Sequence, residues 1–107
     1  MTAIRENEWQ REVAAFLRRH RLRYDPATHA LDLVSEVGEL AKELLLATDY
    51  GRRPAECGPP LVEEIGDVLY SLLALAEVCD VDTDEAFHTA LAKLERRLAD
   101  HGEAGSR

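Results

Sequence analysis

Apolar residues recur at helical spacing in four stretches, separated by short polar or proline-rich breaks. The first predicts a helix over Thr2–Arg21, where Ile4, Trp9, Val13, Phe16 and Leu17 recur at helical spacing among charged residues. His20–Arg23 is a basic break. Asp25-Pro26 then reads as a helix start, with an acid at the cap and proline in the first turn. The second helix is expected over Ala27–Thr48, with Leu31, Val34, Val37, Leu40, Ala41, Leu44 and Leu45 as its apolar face and Tyr50-Gly51 as its stop. Residues 52–60 hold Pro54, Gly58, Pro59 and Pro60 and form the one long loop. The third helix is expected over Leu61–Cys79. Beyond Gly66 it is apolar almost all round, which places it in the centre of a bundle or at a subunit interface. The fourth starts at Thr83 or Asp84 and ends near Asp100. No stretch alternates with the two-residue period of a strand. The pattern describes an all-α chain: one helical domain over residues 1–100 and a flexible tail over 101–107.

Composition narrows the function classes. At 107 residues the chain is one domain with a limited core, so self-association is expected. Its apolar fraction of 46% is too high for a disordered chain. The net charge of −8 argues against a nucleic-acid partner, whose affinity comes from Lys and Arg on phosphates, and against an anionic membrane surface. No apolar run is long enough to span a bilayer, and the N-terminus lacks the apolar core of a signal peptide. Cys57 and Cys79 make neither a disulfide framework nor a CxxC metal pattern, so a cytoplasmic protein with reduced thiols is the default.

Two short segments repeat one pattern. Glu36-Val37-Gly38-Glu39 and Glu64-Ile65-Gly66-Asp67 are each acid, apolar, glycine, acid, inside consecutive predicted helices. Acids three apart share a helix face and repel by a few tenths of a kcal/mol, while a mid-helix glycine costs about 1 kcal/mol against alanine. Both costs occur twice at the same relative place. A cation between the helices would offset the repulsion, and the glycines would let helices, ion or ligand approach closely. Four carboxylates from two helices suit a hard cation, Mg²⁺ first. The plain alternative is a solvated acidic surface. A di-iron site would require Glu-x-x-His, and neither motif carries a His there.

The run Leu33-Val34-Ser35-Glu36-Val37-Gly38-Glu39-Leu40, followed by Glu63-Glu64-Ile65-Gly66-Asp67-Val68-Leu69, resembles the MazG-like all-α nucleotide pyrophosphohydrolases. The resemblance spans roughly Trp9 to Arg97. It implies a four-helix bundle-like fold with helices paired across a homo-oligomer interface, dimer or tetramer. It implies Mg²⁺-dependent cleavage of a nucleoside triphosphate to the monophosphate and pyrophosphate, with Mn²⁺ as a possible substitute, in the service of clearing surplus or non-standard nucleotides. Glu36, Glu39, Glu64 and Asp67 fall on the family's four metal-binding acids. Either Glu36 or Glu39 could act as general base. The family often carries Lys and, four residues later, Asn on the fourth helix to hold phosphates. Lys93 matches the first, and Arg97 stands where Asn is usual and can still bind phosphate.

Trp9 is a candidate for stacking on the base, with a core-anchor role as the plainer reading. The histidines (His20, His29, His88, His101) share no ligand spacing, so surface or structural roles are expected. Arg18, Arg19, Arg21 and Arg23 form a basic knot that suits a solvated turn or a phosphate. Two rivals stand beside the main reading: a non-catalytic helical nucleotide-binding or regulatory protein, and a phosphoribosyl-ATP pyrophosphohydrolase.

Overall fold

A computed structural model describes residues 7–102 of the chain. It contains four α-helices: α1 (Glu8–His20), α2 (Pro26–Ala47), α3 (Pro59–Val78) and α4 (Thr83–His101). Among the described residues there is no strand, as expected. The predicted first-helix residues 2–6 and the tail beyond Gly102 lie outside the described residues. His101 is the last residue of α4 rather than part of a tail, and Gly102 closes the helix with φ 73°.

The breaks have local causes. α1 ends where Arg21 turns left-handed at φ 56° and Leu22 N–H donates to the Leu17 carbonyl at 2.8 Å. α2 starts at Pro26 behind Asp25, whose carboxylate accepts the Thr28 hydroxyl. It ends in three successive left-handed residues, Asp49, Tyr50 and Gly51. The Thr48 hydroxyl bridges this turn, donating to the Leu44 carbonyl at 3.0 Å and accepting Gly51 N–H at 3.0 Å. The chain reverses here, and α3 returns along α2.

α3 is the central element, packed on α2 and on α1. The buried apolar residues are Ala14 and Leu17 on α1 and Leu73, Ala74 and Ala76 on α3. The α2–α3 contact differs in kind. Its covered positions are His29, Leu33, Glu36, Leu40, Glu43 and Ala47 on α2, and Leu61, Glu64, Val68, Ser71, Leu75 and Val78 on α3. Both sets alternate steps of three and four, the spacing of a coiled-coil seam.

This corrects the apolar face expected for α2. Leu31, Val34, Val37, Leu44 and Leu45 are exposed, because the helix turns its acid-bearing stripe toward α3. α3 also leaves Val62, Ile65 and Leu72 exposed. Trp9 is 63% exposed and does not anchor the core.

α4 is fastened at its N-terminal end. The Gln10 side chain donates to the Val81 carbonyl at 2.7 Å and the Glu77 carboxylate at 3.2 Å, and accepts from Thr83 N–H at 2.9 Å and the Thr83 hydroxyl at 2.7 Å. Asn7 donates to the Asp82 carboxylate at 2.5 Å and accepts Asp84 N–H at 2.8 Å. Asp82 caps the helix by accepting Glu85 N–H at 3.1 Å. No residue of α4 is buried.

Candidate active site

Glu36, Glu64 and Asp67 each place a carboxylate oxygen within 4.8 Å of the others. Glu36 is on the α2 stripe that faces α3, and Glu64 is on the matching α3 stripe. Asp67 follows Glu64 by three residues and so stands beside it on the flank of the seam. Glu36 and Glu64 are half-buried, and Asp67 is exposed.

One oxygen of Glu64, Oε2, is buried and has no hydrogen-bond partner. Burial first, and then the charges of Asp67, Glu39, Glu36 and Glu63, raise its pKa above the usual carboxylate value. Every charge acting on Glu64 is negative. A buried carboxylate oxygen without a donor is costly, and like charges around it add to that cost. A hard divalent cation would supply what is missing. Oxygens bound to one such ion at about 2.0–2.6 Å stand up to about 4–5 Å apart, so the trio suits one ion with little movement.

Of the four acids singled out in the sequence, three meet. Glu39 is exposed and outside the trio, although its charge still acts on Glu64. The glycines do not open the space between the acids. A Cβ added at Gly38 or Gly66 meets nothing within 4 Å, because both point away from the α2–α3 seam. Lys93 is exposed and Arg97 half-buried on α4, and neither is among the charges acting on Glu64.

Trp9 lies between two hollows. A small groove of about 250 Å³ is lined by Trp9, Glu12, Val13, Gly66, Leu69, Tyr70 and Leu73, and Gly66 places it next to Asp67. A larger cleft of about 740 Å³ is lined by Trp9, Leu69, Leu72, Leu73 and Phe87, with Asn7, Gln10, Thr83 and Asp84 among its polar groups. Phe87 carried no signal in the sequence. It joins this cleft because Asn7 and Gln10 hold the start of α4 against α1. His29 is buried and structural, its Nε2 accepting Tyr24 N–H at 3.0 Å, and His88 accompanies Asp84. Of the basic knot, Arg23 stands 3.9 Å from Glu77, while Arg18, Arg19 and Arg21 are exposed.

An all-α fold with paired acids across one helical hairpin defines a class. Residues 25–101 match the model of the MazG nucleotide pyrophosphohydrolase domain, and the chain belongs to that family of nucleotide-hydrolysing enzymes. The chain is 35% identical over 80 residues to YpjD of Bacillus subtilis, covering 72% of this chain and 70% of that protein. The crystal structure of YpjD superposes with a TM-score of 0.70 at 32% identity, covering 85% of this chain and 93% of the other. The chain is also 36% identical to dCTP pyrophosphatase 1 of Mus musculus over 88 residues and of Bos taurus over 87. It spans about half the length of these two relatives, 51% and 52%. The matched stretch holds all four acids, Lys93 and Arg97, and Trp9 lies outside it. No helix among the described residues is long and apolar enough to cross a membrane.

Proposed function

We propose that the chain hydrolyses a nucleoside or deoxynucleoside triphosphate to the monophosphate and pyrophosphate in the cytoplasm, as a homo-oligomer, with Mg²⁺ or in its place Mn²⁺. The observation that carries this reading is the orphaned Glu64 oxygen among acids only, in a chain of this family. Glu36, Glu64 and Asp67 would hold the cation, with Glu39 beside them. When bound, such an ion neutralises phosphate charge and makes the attacked phosphorus more electrophilic.

The remaining work falls to side chains. Glu39 stands next to the trio without joining it, so its carboxylate is the freer of the Glu36/Glu39 pair to take the proton of an attacking water. Lys93 and Arg97 are four apart on one face of α4 and would neutralise the leaving pyrophosphate. The hydrogen bonds that tie α4 to Asn7 and Gln10 are at its N-terminal end, and Lys93 and Arg97 lie two to four turns beyond them. Trp9 would stack on the base in the groove beside Gly66. Clearing of surplus or altered nucleotides is the use we assign, and dCTP is the first substrate to try, given the two relatives.

The test is product analysis on a panel of canonical and modified NTPs and dNTPs, with phosphoribosyl-ATP included, with and without Mg²⁺. The reading expects pyrophosphate and monophosphate only when the metal is present. Tight binding without turnover would make the chain a nucleotide-binding protein instead. Turnover confined to phosphoribosyl-ATP would move it to histidine biosynthesis.

A further inference from the structure

We propose that Asp32 and Tyr70, about one turn along the hairpin from the metal acids, read the edge of the substrate's base and select bases that carry an exocyclic amino group. The inference rests on the nucleotide-hydrolysis reading above and names the class of base that the same site takes. Successive residues on a helix turn by about 100° and rise by about 1.5 Å. Asp32 precedes Glu39 by seven positions, so the two stand within about 20° of one line along α2. Tyr70 follows Asp67 by three positions, about 60° around α3 from it. Asp32 lies about 6 Å from Glu36 toward the start of α2, and Tyr70 about 4.5 Å from Asp67 toward the end of α3. Because the two helices run antiparallel, both steps lead toward the same end of the hairpin. The charge of Asp32 acts on the Tyr70 phenol, so the two side chains converge there.

Aromatic rings from α1 and the break after it surround this pair. Phe16 meets Tyr70 edge-on, with ring centroids 5.7 Å apart at 85°, and His20 packs on Phe16 at 4.6 Å. Tyr24 is held by its N–H, which donates to His29 Nε2 at 3.0 Å, and its phenol also acts on Tyr70. Tyr70 is at the same time a wall of the small groove that holds Trp9, so a base lodged in that groove meets the Tyr70 ring. The two polar groups are complementary in kind. Burial first, and then Asp32 and Tyr24, push the Tyr70 pKa up, so its phenol keeps its proton and can donate. The Asp32 carboxylate is exposed, has no hydrogen bond or ion pair among the described residues, and can only accept. An acceptor beside a donor matches an amino group beside an unprotonated ring nitrogen, which is the edge of cytosine and of adenine. Uracil and hypoxanthine carry a carbonyl in place of that amino group. Their oxygen would face the carboxylate with no proton between the two.

The test is kcat/KM, read as pyrophosphate release, for two matched pairs of substrates: dCTP against dUTP, and dATP against dITP. Within each pair the bases have the same size and differ at the amino position and the ring nitrogen beside it. The proteins are the wild type, Asp32→Asn, Asp32→Ala, Tyr70→Phe and the exposed loop control Glu56→Gln, with circular dichroism to confirm helix content. The wild type and the control are expected to favour the amino member of each pair by about tenfold or more, the scale of a hydrogen bond to a charged group. Asp32→Asn can donate where aspartate only accepts, so the preference should vanish or invert. Asp32→Ala, which suits a helix surface, should lose the preference without inverting it. Tyr70→Phe should narrow both ratios by a smaller factor. A wild type that treats the members of each pair alike overturns the inference. So does an Asp32 variant that slows both members equally, since Asp32 would then act on the sugar or the phosphates. Either result leaves the hydrolysis reading standing, because pyrophosphate is still released. No release from any nucleotide by the wild type overturns both.

Discussion

α3 makes two contacts of opposite character. Toward α1 the buried residues are Ala14, Leu17, Leu73 and Ala74, small or aliphatic, and Leu17 is fully covered. Toward α2 the seam has coiled-coil spacing, yet three of its twelve covered positions are glutamates and a fourth is a histidine. The first contact removes apolar surface from water at about 25 cal/mol per Å². The second forgoes part of that gain to hold Glu36 and Glu64 half-buried beside Asp67. A helical hairpin that gives up apolar packing at its centre, while leaving Val37, Leu44, Ile65 and Leu72 exposed on its outside, is built around chemistry rather than around its own stability.

The sharpest way to break this comparison is to neutralise the acids. Glu64→Gln, Asp67→Asn, Glu36→Gln and Glu39→Gln are each expected to lower kcat by about 100-fold or more, the scale of losing one main electrostatic group from an active site. None should unfold the protein. Glu64 has a raised pKa, so folding of the metal-free protein favours its protonated form more than the unfolded chain does. The stability it confers is present below its ordinary value of 4.5 and lost as pH rises through the raised value. Glu64→Gln removes that loss, and the metal-free Tm at neutral pH should stay level or rise. Added Mg²⁺ should raise the wild-type Tm and leave that of the variant unmoved. Melting curves with and without metal check all of this.

The opposite result is expected across the other contact. Leu17→Ala should cost about 2–5 kcal/mol, the range for emptying a buried leucine site, and lower Tm by more than about 10 °C. Where the variant remains folded, its KM for nucleotide and its Mg²⁺ dependence should match the wild type. A large change in Mg²⁺ dependence would show that the two contacts are not separate.

The helices were legible from the spacing of apolar residues, and their ends from Asp25-Pro26, Tyr50-Gly51 and the prolines before Leu61. The acids were legible because like charges and mid-helix glycine are both unfavourable and both recur. Two things were not. Periodicity identifies an apolar stripe without saying what covers it, so the stripe of Leu31, Val34, Val37, Leu44 and Leu45 read as the core face when it is solvent-facing in the single chain. The glycines were read as space between the acids. They stand two residues from Glu36 and Glu64, about 200° around each helix, and so face away from them. The Gln10 clasp was invisible too, since its four hydrogen bonds join residues at least 67 positions apart.

That clasp gives an effect of middle size. Gln10→Ala strands the Thr83 hydroxyl and the Val81 carbonyl, at about 1–3 kcal/mol for buried polar groups left unpaired. It should also free α4. Lys93→Ala and Arg97→Ala should raise KM or lower kcat by about tenfold, and by a similar factor for every base, since all triphosphates share the charge those residues would meet. Trp9→Ala should instead reorder the bases. Kinetics of the three variants against four bases separate these roles, and unchanged kinetics in both α4 variants would remove α4 from the site.

The smallest effect lies at the foot of α4. Asp82 has a pKa below its ordinary value of 3.8, first through the Asn7 amide and then through Glu85 N–H. The stability it confers is present above 3.8 and lost as pH falls through the lowered value. Asp82→Ala should flatten the acid limb of a Tm-against-pH curve by lowering its neutral plateau, by the about 0.5–2 kcal/mol of a lost N-cap acid, and leave the acid end unchanged.

The central claim is that the acids of the α2–α3 seam catalyse nucleotide hydrolysis rather than decorate a surface. The direct measurement is the product released from dCTP and a dNTP panel by wild type and by Glu64→Gln, with Mg²⁺ and with chelator. Pyrophosphate and monophosphate from the wild type with Mg²⁺, and neither from the variant or with chelator, is the predicted result. Release of orthophosphate in place of pyrophosphate, or full turnover by Glu64→Gln, would contradict it.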